Sequence, residues 1–299
     1  MPKISVVMSV YNGERYLRES VESILNQTFS DFEFIIVNDG SVDSTKNILL
    51  EYARKDPRII IIDQQNLGLT KSLNKAIFSS RSKFIARQDV DDVSLMSRLA
   101  KEYEVLSADD NTDLVCSWYY IIDESGKLIL ERKLPDSRLI KKIVKRQNLI
   151  AHSSVMFRKA SFLRAGGYDE RYKYGQDWFL WLKMESIKVL PESLLKYRWG
   201  NENITHKRHS SKLKVKNKAE FLEYRKVCII SSLLLQQGEL KKCRGLLEKN
   251  LCSLRNIAYY LLTFFPRPVV SFCIWDMRYH LKRILRKFVP YYRKKVVYE

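Results

Sequence analysis

Short apolar runs alternate with amphipathic segments along about the first ninety residues of the chain. The apolar runs are rich in Val, Ile and Phe, as buried strands are, and they lie at residues 3–10, 32–37, 58–62 and 83–86. Between them, apolar residues recur at helical spacing, for example Leu17, Val21, Ile24 and Leu25. We therefore predict an α/β fold with a mostly parallel central sheet, flanked by helices and built from right-handed crossovers.

The pattern becomes more mixed after residue 94. We predict a helix over 94–108, a strand over 113–122 and a helix near 138–146. The turn sequence at 123–126 indicates a hairpin that continues into 127–130. A strand over 152–157 and a helix over 178–187 follow.

Polar residues follow three of the first four predicted strands. They are Ser9 and Tyr11, then Asn38 and Asp39, then Asp89, Asp91 and Asp92. Ligands of open α/β sheets bind outside the carboxyl ends of the strands, so we expect these residues to share a site. Neither G-x-G-x-x-G nor G-x-x-x-x-G-K-[ST] occurs in the sequence, which excludes both glycine-rich phosphate loops. A metal ion and side chains would have to hold the phosphates of a nucleotide.

The acidic stretch begins directly after the fourth predicted strand. Three carboxylates within four residues are costly at a strand end unless a cation compensates them. Alternate residues of an extended chain point the same way, so Asp89 and Asp91 would share a face. Such an oxygen-only pair suits Mg²⁺ or Mn²⁺ better than Zn²⁺. A D-x-D tripeptide alone is more often a solvated turn, but its place at a strand end favours the metal site.

The composition is that of a folded protein in a reducing compartment. The chain has 299 residues and is 45% hydrophobic, enough for one large core or for a core domain with an appendage. Its five Cys residues form no C-x-x-C pair, which disfavours disulfides and a zinc site. No signal-peptide pattern opens the chain. No window reaches about 18 uninterrupted apolar residues, so we expect no transmembrane helix.

The positive charge is concentrated at the end of the chain. Residues 207–299 hold 22 Lys and Arg against 6 Asp and Glu, a net charge of +16 out of the total of +19. Residues 275–292 mix aromatic residues with Lys and Arg at helical spacing, a pattern typical of helices that lie on anionic membranes. A helical bundle packed on the rest of the protein is the alternative. A nucleic-acid partner is disfavoured because no binding motif accompanies the charge.

Five ordered motifs give the first two hundred residues a family resemblance. They are SVVMSVYNGERYLRESVESILNQTFSDFEFIIVNDGSVDST, NLGLTKSLNKAI, ARQDVDD, AHSSVMFRKA and GGYDERYKYGQDWFLWLK. In this order and spacing the chain resembles an inverting family-2 glycosyltransferase with the GT-A fold. The resemblance implies a metal-dependent reaction that transfers a sugar from a UDP-linked nucleotide sugar to a hydroxyl group.

The resemblance also implies roles for the donor-side residues. Asp39 would hydrogen-bond the base, although a helix-capping or turn role is its alternative. Ser9 and Tyr11 would lie beside the base, where Tyr11 can stack or simply pack at the strand end. Lys71 would contribute to the donor site or remain a solvated helix residue. Asp89 and Asp91 would bind the Mn²⁺ or Mg²⁺, with Asp91 the direct ligand, and Asp92 would support them.

On the acceptor side, Asp177 matches the general base of the family. Members commonly carry Glu-Asp here, whereas this chain has Gln176-Asp177. An N-cap of the following helix is the structural alternative for Asp177, and both roles can coexist. His152 would help to position the acceptor or only pack its loop. Many members carry a His closely after a Tyr-Arg pair, and this His completes the metal site. Here Tyr197-Arg198 is not closely followed by a His. His206 would therefore take this role, or it would lie on the surface.

These observations predict two domains, a GT-A domain over 1–206 and a basic helical extension over 207–299. The predicted enzyme is a hexosyl or N-acetylhexosaminyl transferase with a lipid-linked or glycan acceptor in surface glycan synthesis, attached to the cytoplasmic face of an anionic membrane. Its oligomeric state stays open. Two alternatives are a non-catalytic nucleotide-sugar-binding scaffold on a degenerate GT-A fold and a nucleotidyltransferase, which also uses paired Asp residues and Mg²⁺.

Overall fold

The computed structural model describes residues 1–145, 147–172 and 174–200. The strands in this part are β1 (Ile4–Val10), β2 (Phe32–Asp39), β3 (Ile59–Gln64), β4 (Phe84–Arg87), β5 (Val93–Ser94), β6 (Leu114–Ile122), β7 (Leu128–Arg132), β8 (Val155–Arg158) and β9 (Ile187–Arg198). The helices are α1 (Glu14–Leu25), α2 (Thr45–Lys55), α3 (Leu69–Ser79), α4 (Arg98–Ala108), α5 (Ser137–Val144), α6 (Lys159–Arg164) and α7 (Gln176–Lys183). A 3₁₀ turn spans His152–Ser154.

One mixed sheet joins these strands in the order β3-β2-β1-β4-β8-β6-β9-β5, with β7 beside β6. The four strands β3, β2, β1 and β4 are mutually parallel, as the alternating pattern predicts. The second half of the sheet is mostly antiparallel, with β6 and β9 as its parallel pair. The predicted α/β class is confirmed.

The core explains the uninterrupted apolar runs. Every residue of β1 and β2 is buried, since strands at the centre of a parallel sheet carry helices on both faces. Leu17, Val21 and Ile24 of α1 are buried against them, as the helical spacing predicts. The carboxyl ends of these rigid strands can therefore hold side chains in fixed positions.

The elements after residue 92 differ from the prediction. Ser94 belongs to the short strand β5, and the helix begins only at Arg98. The helix predicted over 178–187 is α7, which runs from Gln176 to Lys183. Ile187 instead begins the twelve-residue strand β9, which the sequence pattern did not predict. Pro191 interrupts this strand at a shift in the β6–β9 register, and such an interruption breaks the alternation that marks a strand.

The basic extension predicted over 207–299 lies outside the described residues, and the boundary at residue 206 stays a prediction. Within the described ranges, no helix is long and apolar enough to span a membrane.

Candidate active site at the carboxyl ends of β1, β2 and β4

The parallel strands bring the predicted donor residues to one edge of the sheet. β1 lies between β2 and β4, with Val10 opposite Asn38 and Val7 opposite Arg87. The chain segments that leave these three strands therefore meet at the same edge, and they carry Tyr11, Asp39 and the acidic stretch.

Asp39 is the most firmly held of the donor-side residues. Its side chain is buried, and it accepts hydrogen bonds from the backbone amides of Leu67 and Gly68, both at 2.9 Å. The Nε2 atom of Gln64 donates a third hydrogen bond at 2.8 Å. These bonds tie the end of β2 to the loop before α3, so Asp39 has a structural role whether or not it also binds a base.

The loop after β1 is fixed to the loop after β2. Asn12 Oδ1 accepts a hydrogen bond from the amide of Val42 at 2.9 Å, and the amide of Gly13 donates to Thr45 Oγ1 at 2.9 Å. Ser9 is buried at the end of β1, whereas Tyr11 is 51% exposed. Lys71 is also exposed, in the first turn of α3.

The acidic stretch forms a turn. The amide of Asp92 donates to the carbonyl of Asp89 at 3.3 Å, so residues 89–92 reverse the chain. Residues 89–91 are therefore not extended, and the prediction that Asp89 and Asp91 share a face of an extended chain is wrong. The turn still places their charges close enough to interact, because Asp89 raises the pKa of Asp91.

In the acidic turn, the negative charge of Asp89 is balanced by a neighbouring arginine. Its carboxylate is paired with the buried Arg87, and its Oδ2 lies 3.1 Å from Ser153 Oγ, which donates to it. Burial alone would raise the pKa of Asp89, but the charge of Arg87 and the bond from Ser153 outweigh burial and hold it below its usual value. Asp89 is therefore ionised at neutral pH.

The other two carboxylates are poorly compensated. Burial and the charge of Asp89 raise the pKa of Asp91 to about 7. Burial and the charges of Asp91 and Asp89 raise the pKa of Asp92 well above its usual value. A cation bound beside Asp91 and Asp92 would favour their ionised forms.

The donor chemistry of the turn fits Mg²⁺ or Mn²⁺. Both ions bind through one or two carboxylates and complete their shell with phosphate oxygens and water. Among the residues that the structure describes, no three His, Cys, Asp or Glu side chains are placed to enclose a metal together. The turn would thus supply Asp89 and Asp91, and the rest of the shell would come from the substrate. His206, the candidate third ligand, lies outside the described residues.

His152 is packed beneath the acidic turn. Its Nε2 atom lies 2.7 Å from the Tyr168 hydroxyl and 3.2 Å from Nε of Arg87, which donates to it. Burial and the charge of Arg87 lower the pKa of His152 to about 3, so the imidazole is neutral. These are the contacts of a packed loop histidine, and its role toward an acceptor stays a prediction.

Asp177 lies in the first turn of α7. The helix begins one residue earlier, at Gln176, with Gly175 as its N-cap residue. The N-cap alternative for Asp177 is therefore wrong. Asn148 Nδ2 donates to Asp177 Oδ2 at 2.7 Å. Burial raises the pKa of Asp177, and the charge of Asp89 adds to this, while the amide of Trp178 and Asn148 oppose it. His152 lies 3.9 Å from Asp89, and its ring centroid lies 5.9 Å from that of Trp181 in α7, so α7 lies near the acidic turn.

The sequence pattern did not predict several of the residues that hold the site together. Arg87 lies within the quoted motif ARQDVDD, where a basic residue beside three acidic ones could have marked it. Arg98 of α4 donates to the carbonyls of Arg87 and Ser153 and so joins β4 to the 3₁₀ turn. Asn148 and Arg198 act through contacts that no local pattern indicates.

Comparison with known proteins identifies a family. The sequence model described as Glycosyl transferase family 2 matches residues 5–166. An uncharacterized glycosyltransferase of Methanocaldococcus jannaschii is 41% identical over 212 residues, which cover 68% of this chain and 72% of the relative. The O-antigen biosynthesis glycosyltransferase WbnJ of Escherichia coli is 37% identical over 207 residues, 67% and 81% of the two chains. The amylovoran biosynthesis glycosyltransferase AmsE of Erwinia amylovora is 31% identical over 211 residues, 68% and 79%.

Solved structures share the fold. S. aureus TarS in complex with UDP-GlcNAc has a TM-score of 0.55 at 21% identity, over 78% of this chain and 66% of that chain. TarS in complex with UDP has a TM-score of 0.55 at 18% identity, over 92% and 91%. The fold is that of the GT-A glycosyltransferases. The family model and the sequence relatives show that the protein is a glycosyltransferase. More narrowly, the chain belongs to glycosyl transferase family 2, as its motifs indicated.

Proposed function

We propose that this glycosyltransferase moves a sugar from a UDP-sugar, with inversion, to a hydroxyl group of a lipid-linked or polysaccharide acceptor. The observation that supports the proposal is the position of Asp39 and the acidic turn at the carboxyl ends of β2 and β4, on either side of β1. The O-antigen and amylovoran relatives support an acceptor in surface glycan synthesis. The complexes of TarS with UDP-GlcNAc and UDP support the uridine nucleotide.

The donor would bind along the edge from Asp39 to the acidic turn. Asp39 would accept a hydrogen bond from the base, since its carboxylate is already fixed by three protein donors. Tyr11 would stack on the base with its exposed face. Asp89 and Asp91 would hold a Mn²⁺ or Mg²⁺ ion, which when bound offsets the charge that develops on the leaving diphosphate. Arg87 and Ser153 keep Asp89 in place for this role.

Asp177 would act as the general base. It takes the proton of the acceptor hydroxyl while the hydroxyl oxygen bonds to the anomeric carbon, and the bond from that carbon to the diphosphate oxygen breaks. Asn148, which donates to Oδ2, and the amide of Trp178 orient the carboxylate of Asp177 for this role. The raised pKa of Asp177 suits this task, because a base works best when its pKa lies nearer the working pH.

Asp177→Asn tests the proposal. The variant keeps the shape of the side chain but cannot take a proton, so we expect unchanged donor affinity and a loss of transfer of roughly 10²- to 10⁴-fold. Transfer from UDP-glucose, UDP-galactose and UDP-N-acetylglucosamine with Mn²⁺ would be measured beside binding of each donor. Asp110→Asn, at an almost fully exposed carboxylate, is the matched control. Loss of donor binding in Asp177→Asn would contradict the assignment.

A non-catalytic nucleotide-sugar-binding scaffold is the second candidate. Gln176 favours it, because the residue is a buried amide where related enzymes commonly carry a carboxylate. A scaffold would bind the same UDP-sugars with Mn²⁺ but release no UDP from any of them. Turnover of one donor by the wild-type protein would exclude this candidate.

We also propose that the acceptor is met at the cytoplasmic face of an anionic membrane. The net charge of +16 over residues 207–299, together with aromatic residues at helical spacing, supports this location.

A further inference from the structure

Arg198, the last residue of β9, connects three separate segments beside the acidic turn. Its side chain is 3% exposed. Nε donates to the carbonyl of Asp91 at 2.9 Å, and Nη1 lies 3.2 Å from the carbonyls of Asp123 and Glu124. Nη2 pairs with Glu19 of α1 at 2.5 Å. One guanidinium group thus links the acidic turn to the β6–β7 turn and to α1.

The backbone of Arg198 holds the same turn from a second point. Its amide donates to Asp92 Oδ1 at 2.9 Å. Neighbouring residues of the acidic turn are therefore held by the side chain and the backbone of one residue. In a stretch with three carboxylates that repel one another, such contacts prevent the turn from opening.

We propose that Arg198 is a positioning residue, which holds the acidic turn in the conformation that receives the donor diphosphate and its divalent cation. This inference rests on the proposed function. Arginine is required because its planar fork presents several donors in fixed directions, whereas the single ammonium of lysine cannot reach all of these acceptors at once. The residue acts through Asp91 and Asp92.

Arg158 provides a matched control within the same sheet. It also holds three backbone carbonyls, those of Leu106, Asp109 and Thr112. Its partner across the sheet is Phe84, at the amino end of β4, whereas the acidic turn follows the carboxyl end. Arg158→Lys therefore removes a similar set of hydrogen bonds at the opposite end of the strand.

The test compares Arg198→Lys, Arg158→Lys and the wild-type protein. For Arg198→Lys we expect affinity for UDP in the presence of Mn²⁺ to fall about 10- to 100-fold, as for other residues that orient metal-binding groups. Transfer should fall with it. Arg158→Lys should lower the thermal midpoint of unfolding and leave UDP affinity unchanged. Glu19→Gln, which removes the charge of only one of the partners, should lower UDP affinity less than Arg198→Lys.

Amide hydrogen exchange reports the turn without a ligand. The amide of Asp92, which closes the turn, should exchange faster in Arg198→Lys than in the wild-type protein or in Arg158→Lys. Either of two results would overturn the positioning role of Arg198 and leave the proposed function standing. One is unchanged exchange at this amide, and the other is a UDP affinity in Arg198→Lys equal to that of the wild type. A wild-type protein that binds no UDP with Mn²⁺ would overturn the proposed function, and the positioning role with it.

Discussion

At the scale of single residues, the site depends on how each carboxylate is partnered. Asp89 is paired with Arg87 and stays ionised, whereas burial and the charges of neighbouring carboxylates raise the pKa values of Asp91 and Asp92. Asp177 is half-buried, and a neutral donor, Asn148, holds its carboxylate. A neutral partner orients a carboxylate without fully suppressing its basicity, which suits a group that must accept a proton.

Asn148→Ala should change the pH dependence of transfer. The hydrogen bond from Asn148 stabilises the ionised form of Asp177 and lowers its pKa. Without that bond the pKa of Asp177 rises further, so less of the base is ionised at a given pH. The acidic limb of the kcat/KM profile should therefore move to higher pH in the variant. An acidic limb at the wild-type pH would contradict the assigned role of Asn148.

At the scale of elements, the loops that follow the parallel strands are held by one another. The loop after β2 approaches the loop before α3 so closely that a Cβ on Gly40 would lie 2.6 Å from the amide nitrogen of Asn66. Gly40 also has a φ of +75°, which residues with a Cβ rarely adopt. The hydrogen bonds from Leu67 and Gly68 to the neighbouring Asp39 join the same two loops.

Gly40→Ala should therefore destabilise the protein by more than the strain of a positive φ alone would. We expect a loss of about 3 kcal/mol or more in the free energy of unfolding, because strain and a backbone clash add. Gly166→Ala is the control, since Gly166 has a φ of +81° but its Cβ would meet only Lys183 Nζ at 4.0 Å. That variant should lose about 1 kcal/mol. Denaturant unfolding measures both, and equal losses would disprove the clash.

At the scale of the whole molecule, the charge is divided unequally along the chain. Residues 1–206 carry a net charge of +3 and residues 207–299 carry +16. A charge of this size in a segment of 93 residues attracts an anionic surface over about a Debye length. We propose that this attraction brings the protein to acceptors that are embedded in a membrane.

The full-length protein should sediment with vesicles that contain anionic lipid at low salt. Binding should weaken as salt is raised to about 1 M, where the screening length falls to about 3 Å. A chain that ends at residue 206 should stay in the supernatant, and vesicles of neutral lipid serve as the control. Full-length protein that stays in the supernatant at low salt would refute membrane attachment through residues 207–299.

The sequence by itself determined the parallel half of the sheet and the edge where the donor-side residues meet. Buried parallel strands need continuous apolar runs, and parallel strands bring their carboxyl ends to one edge, so both features follow from local patterns. Asp39 and the acidic stretch could therefore be placed from the sequence, and the ordered motifs indicated the family.

The tertiary structure alone decided how those residues are held. It added β9, whose pattern is broken at Pro191, and it showed that residues 89–92 turn rather than extend. The contact between Asn148 and Asp177 spans 29 residues, and that between Arg198 and Asp91 spans 107. Partners so far apart in the chain are chosen by packing of the whole sheet, since a local pattern carries no information about which distant group a side chain will meet.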